Sequence, residues 1–131
     1  MPNPAPIESA EYQKMVSGKQ YYIIPLTRSL TEGRYVASDP VLAEARLNAK
    51  RLCRKLNDSI GDPDDLGARG LARYRAGIID SLFSSCDKKA IEVEPPFWCD
   101  YGCNLSVGTG FYCNYNCTIL GSHPLAKVYN A

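Results

Sequence analysis

From Val93 to Leu120, apolar side chains fall on every sixth residue, and few folds accept that spacing. One column reads Val93, Cys99, Leu105, Phe111 and Cys117; the column two places on reads Pro95, Tyr101, Val107, Cys113 and Ile119. An α-helix repeats at 3.6 residues and a half-buried strand at 2, so neither accounts for a step of six. A parallel β-helix built on hexapeptides does, because each hexapeptide makes one short strand and one corner. Its inward residues then stack on those of the neighbouring coils. At three hexapeptides per coil, this stretch amounts to roughly one and a half coils.

The preceding residues have a different texture. Residues 1–8 are Pro-rich and read as a disordered leader. Ser9 to Ser17 predicts a short helix with Tyr12, Met15 and Val16 on one side. The apolar run from Tyr21 to Leu26 fits a strand or a tucked loop equally well. Asp39 before Pro40 is a good helix start. From there Leu42, Ala45, Ala49, Leu52 and Leu56 recur at steps of three and four, with Arg46, Lys50, Arg51, Arg54 and Lys55 between them. That basic face reads as solvated surface. Asn57 to Asp65 is turn-rich. A third helix is predicted from Ala68 to Ser84, with Leu71, Tyr74, Ile78, Leu82 and Phe83 inward. The boundary between helical unit and β unit falls near 86–90, which makes the fold class α+β.

Composition narrows the function. The chain has 131 residues, 45% hydrophobic and 22% charged, enough for one domain with a cooperative core. A net charge of +1 argues against a nucleic-acid partner. No run approaches the 18 or so apolar residues a membrane span needs, and the start lacks the basic and apolar regions of a signal peptide. A cytoplasmic protein is the expectation. The six cysteines admit three readings. Cys99, Cys103, Cys113 and Cys117 have a spacing that could hold zinc, and disulfides would require an oxidising compartment. Cys99, Cys113 and Cys117 already occupy the period-six columns, where a reduced thiol packs as a small hydrophobe, and that reading is preferred.

The segment Glu94-Pro95-Pro96-Phe97-Trp98-Cys99-Asp100-Tyr101-Gly102-Cys103-Asn104, followed by Phe111-Tyr112-Cys113-Asn114-Tyr115-Asn116-Cys117, resembles the maltose/galactoside O-acetyltransferase family, which includes nodulation-type sugar acetyltransferases. Ala37 to Pro40, Arg51 to Cys53 and Leu56-Asn57 resemble that family's N-terminal cap. The likeness covers roughly residues 9–20 and 35–120. It implies a helical cap over 9–88, with residues 21–33 as an insertion, and the start of a left-handed parallel β-helix over 89–120. Residues 121–131 form a tail of uncertain origin. It further implies acetyl-CoA as acetyl donor, a sugar hydroxyl as acceptor, and a homotrimer with active sites between subunits.

By the same resemblance Asp100, Tyr112 and Asn114 line the acceptor pocket and His123, in Ser122-His123-Pro124-Leu125, is the catalytic base. Asp100 and Asn114 could equally be corner residues that satisfy their own turns. His123 follows Cys117 by six residues, where the family has about one further coil between the two segments, and a lone His in such a position is often a solvated surface residue. Val36 and Ala37 replace an acidic residue that tends to follow the family's Tyr, and Gly121-Ser122 replace its Asp. The chain reads as truncated after the first coils, so the resemblance implies weak or no acetyl transfer by this short chain. The alternatives are a non-catalytic interaction or oligomerisation module, and a small zinc-binding protein.

Overall fold

The computed structural model describes residues 9–16, 38–120 and 125–128. The predicted leader 1–8, the insertion 21–33, and His123 with most of the tail lie outside the described residues.

Three helices come first: α1 Ala10–Val16, α2 Pro40–Asn57 and α3 Gly67–Leu82. Ser9 starts α1 by accepting the Tyr12 amide on its hydroxyl at 3.2 Å. Asp39 caps α2 as expected, its carboxylate accepting the Val41 amide at 3.0 Å, with Pro40 in the first turn. Arg54 and Lys55 in the last turn face the negative end of the helix dipole. Leu42, Ala49, Cys53 and Leu56 form the buried stripe.

The third helix departs from prediction at both ends. Its start is held by Asp62, whose carboxylate accepts the amides of Leu66 at 2.8 Å and Gly67 at 2.7 Å. Leu66 occupies the cap position and Asp62 supports it from four residues upstream, although Asp62 reads as a simple turn residue. At the other end the helix stops at Leu82, and Phe83 turns to extended backbone with ψ 156°. The core side of α3 is Ala76, Ile78, Ile79 and Leu82, whereas Leu71 and Tyr74 are only half-buried.

The strands are β1 Ile91–Val93, β2 Phe97–Cys99, β3 Leu105–Val107, β4 Phe111–Cys113, β5 Cys117–Ile119 and β6 Leu125–Val128. They pair in parallel as three two-stranded sheets, β1 with β4, β2 with β5 and β3 with β6. This is the start of a parallel β-helix, one sheet per side. First and third residues of β1 to β4 point inward and middle residues outward, as in Ile91, Glu92 and Val93.

The coil is longer than the sequence period predicts. Ile91 lies opposite Phe111, Phe97 opposite Cys117 and Leu105 opposite Leu125, a step of 20 residues rather than 18. The two extra residues sit at the corner from Asp100 to Asn104, where five residues join β2 to β3, whereas the corners at 94–96, 108–110 and 114–116 use three. Val93 consequently stacks on Cys113 and Cys99 on Ile119. The column from Val93 to Cys117 is not one row: Val93 and Cys99 take third places in their strands, and Leu105, Phe111 and Cys117 take first places. All five still face inward, because a shift of two preserves the alternation of a strand.

Gly102 explains why that corner carries a glycine. Its φ is +73°, and a Cβ there would lie 2.5 Å from Leu82 Cδ1 and 2.6 Å from the Leu82 carbonyl oxygen. The end of α3 thus rests directly on the corner.

The helices also supply the hydrogen bonds that a preceding coil would make. The Asn57 side chain clamps β2, accepting the Phe97 amide at 2.8 Å and donating to the Phe97 carbonyl at 3.0 Å. Beyond α3, Ser84 donates its amide to the Leu105 carbonyl at 2.9 Å, and the Val107 amide donates to the Ser85 carbonyl at 3.0 Å. One hydrophobic core runs across both parts. Phe83 meets the rings of Phe97 and Phe111 edge-on at centroid distances of 6.0 and 6.5 Å. A smaller cluster of Tyr12, Leu42, Tyr101 and Cys103 docks α1 and the start of α2 on the long corner.

Candidate functional site

The functional residues expected from sequence occupy corners and outward strand positions, where a three-residue strand leaves side chains free of the core. Asp100 opens the long corner after β2. It is half-buried, and its amide donates to the Ile119 carbonyl at 3.3 Å, tying it to the end of β5. Next to it, Tyr101 is buried and accepts a hydrogen bond from Arg46 Nη1 at 2.7 Å, with the guanidinium 5.7 Å from its ring centre. Asn114 lies at the corner between β4 and β5. It is exposed, and its side-chain oxygen accepts the amide of the next residue, Tyr115, at 2.8 Å, which fixes the start of that turn. Asn116 completes that turn with φ 61°, and its amide donates to the Pro96 carbonyl at 3.0 Å.

Asp100 and Asn114 therefore stand at the two corners that bound the β2·β5 face. One chain does not bring them together. Tyr112 is on another face, outward from the middle of β4 and paired with Glu92. Its ring lines a cleft of about 760 Å³ between α3 and the β1·β4 sheet, with Arg73, Lys88, Lys89 and Glu92 around it. Partial desolvation and then the negative charges of Glu94 and Glu92, together with Tyr115, hold its phenol above the usual range, so it stays a neutral hydrogen-bonding group. Sequence reasoning missed the cations of this cleft. The Lys88-Lys89 pair just before β1 was their only trace.

Behind the cleft, Arg75 fixes the corner that opens at Glu94. Its guanidinium donates to the Ser59 hydroxyl at 2.9 Å and the Ser59 carbonyl at 3.0 Å, and lies 3.5 Å from the Glu94 carboxylate. Both partners of that ion pair are mostly shielded from solvent. Asn57, read from sequence as a turn residue, holds the next position of the same corner through Phe97.

The late cysteines are divided between the main core and the cluster of Tyr12. Cys99 lies beside Cys53, Cys103 joins the cluster of Tyr12, and burial followed by contact with Cys117 pushes the Cys113 thiol up to about 12. Among the described residues no three His, Cys, Asp or Glu side chains gather as a metal site.

A helical cap seated on short parallel strands defines a capped hexapeptide-coil protein. Residues 14–87 match the family model described as the maltose acetyltransferase hexapeptide capping motif. A Schizosaccharomyces pombe protein assigned as an acetyltransferase is 39% identical over 113 residues, covering 86% of this chain and 48% of the relative. Nodulation protein L of Rhizobium leguminosarum bv. viciae is 34% identical over 86 residues, covering 66% and 40%. The crystal structure of a maltose O-acetyltransferase from Clostridium difficile 630 superposes with a TM-score of 0.68 at 30% identity, covering 93% of this chain and 52% of that one. The chain belongs to the maltose acetyltransferase family of capped hexapeptide proteins. It spans about half the length of the curated relatives it matches.

Proposed function

We propose that this chain is the cap and first coils of an acetyl-CoA-dependent sugar O-acetyltransferase. The observation that carries the reading is the seating of the two motif corners, Asp100-Tyr101-Gly102 and Asn114-Tyr115-Asn116, at the two ends of one β-helix face, in a chain of this family. Cap residues 9–88 form the lid, and residues 89–120 the start of a left-handed coil.

A sugar hydroxyl has a pKa far above 7 and attacks a thioester poorly. A base that takes its proton as the new C–O bond forms contributes about 10²–10⁴-fold. His123 is assigned that role. The attacking oxygen joins the acetyl carbonyl carbon, and the coenzyme thiolate leaves and takes up the proton. Asp100 and Asn114 accept and donate hydrogen bonds that fix the acceptor sugar, and the Tyr112 phenol packs beside it. Because Asp100 and Asn114 stand at different corners, the reading has a neighbouring copy complete each site, in a homotrimer. Exposed Trp98, Tyr115 and Leu120 around the β2·β5 face (41%, 64% and 71%) favour such packing. The same surface supports a second reading, a purely oligomerising module. A cytoplasmic location suits acetyl-CoA as donor.

The relatives are about twice as long, so the 131 residues alone are expected to transfer acetyl weakly or not at all. The test uses acetyl-CoA, a panel of sugars, the chain itself, and a fusion of residues 1–120 to the C-terminal half of the Clostridium difficile enzyme. The fusion should acetylate a sugar and lose at least about 100-fold in rate on Asp100→Ala or Asn114→Ala. Any residual rate of the unfused chain should vanish in His123→Ala. A folded trimeric fusion that consumes no acetyl-CoA with any sugar would leave the oligomerising module as the better account. A fast unfused chain would contradict the expected weakness.

A further inference from the structure

We propose that Cys53 and Cys99 form a preformed dithiol that a small peroxide oxidises to a disulfide, covalently fastening the helical cap to the first coil. The two sulfurs lie 3.9 Å apart, in van der Waals contact, although the residues are 46 positions apart in sequence. Cys53 is on the buried stripe of α2, and Cys99 is the last residue of β2. The bond would therefore cross the seam on which the cap's hold depends.

Three features distinguish this pair from ordinary buried thiols. The contact runs between elements and not along one, so bonding changes the covalent topology. A disulfide needs sulfurs about 2 Å apart, so bonding requires the two sulfurs to close by roughly 1.9 Å. The two groups are also chemically unequal. Contact with Cys99 holds the Cys53 thiol below its usual range, while contact with Cys53, followed by burial, holds Cys99 above it. Cys53 is thus the nucleophile and Cys99 the resolving thiol.

The steps balance with hydrogen peroxide as the two-electron oxidant. The Cys53 thiolate attacks one peroxide oxygen, breaking the O–O bond, and becomes a sulfenic acid as hydroxide leaves. Cys99 sulfur then attacks the Cys53 sulfur, forming the S–S bond; the sulfenic oxygen takes the Cys99 proton and leaves as water, and the proton that Cys53 released on ionising neutralises the first hydroxide. Cys53 is fully buried and Cys99 is 6% exposed, so peroxide reaches the pair through local opening of the seam between cap and coil.

The test treats the reduced, folded full chain with hydrogen peroxide, blocks remaining thiols in denaturant, and maps the fragments by mass. Cleavage at Arg51, Arg54, Trp98 and Tyr101 separates Cys53 and Cys99 from the other cysteines. The expected result is loss of two of the six thiols and a fragment joining Cys53 to Cys99. The oxidised chain should melt about 5–10 °C higher than the reduced one, by constraint of the unfolded chain. Cys53→Ala and Cys99→Ala should each abolish both effects. Oxidation confined to half-exposed Cys86 and Cys117, a bond between other cysteines, or overoxidation of Cys53 without a bond would each overturn the proposal. The wild-type map decides it even if a variant fails to fold.

Discussion

The two ends of the β-helix solve the same problem differently. At the cap end, a three-residue strand has a partner that is not a strand: an asparagine amide serves β2, and the two serines after α3 serve β3. Inward residues there are buried, as Phe97 at 0% and Leu105 at 2% exposure show. Toward the second coil the shielding thins. Cys117 and Ile119 on β5 are half-buried, and Leu120 is 71% exposed. A coil is therefore stable in proportion to what covers its two edges, and helices can replace a coil if they present the right polar groups at the right strand positions.

Mutations should reveal this asymmetry in order of size. Phe83→Ala removes the ring that joins cap to coil and should cost about 4 kcal/mol of unfolding free energy in urea titrations; Ile119→Ala, on the less covered strand, should cost about 1 kcal/mol. Equal losses would break the comparison. Gly102→Ala forces a Cβ into the end of α3 at positive φ and should cost about 3 kcal/mol by the same measurement. Asn57→Ala leaves the Phe97 amide and carbonyl without their cap-side partner, at about 2–3 kcal/mol. A neutral result there would mean that water replaces the clamp without loss.

Alkaline pH gives a gentler probe. Burial raises Cys86 from 9.0 to about 11, with Asp80 adding to it, and burial with Cys103 raises Tyr12 from 10.0 to about 12. Cys113 rises from 9.0 to about 12 for the reasons given above. Each of these groups is neutral when protonated, and the fold favours that form. Their contribution is complete below pH 9, where the unfolded groups are still protonated, and is lost as the pH climbs from 9 through 12. The urea midpoint should be flat below pH 8.5 and fall above 9, less steeply in Cys113→Ala. The smallest effect belongs to the exposed Arg54–Asp58 pair at 3.4 Å: Arg54→Ala should change stability by no more than about 0.5 kcal/mol.

Much of the fold was legible because inward and outward positions alternate, and that alternation survives the long corner. The 20-residue coil was not legible, since a two-residue insertion leaves the apolar pattern unchanged. Asp39 could be read because its cap acts two residues away. Asp62 and Asn57 could not, because an asparagine that clamps a strand 40 residues on looks like any turn asparagine. For the candidate site, resemblance supplied Asp100, Tyr112 and Asn114, and no local pattern would have chosen them. That Tyr112 lies on a different face, and Asp100 and Asn114 at opposite ends of one face, became visible only with the strand register in hand.

The central claim, that the cap does the work of a coil, is tested most directly by native-state hydrogen exchange on the whole chain. The Phe97 and Val107 amides, bonded to Asn57 and Ser85, should exchange only through global unfolding, whereas the amides of Thr118 and Ile119 on β5 should exchange at least about 10-fold faster. Fast exchange at Phe97, or equal protection at the two ends, would contradict it.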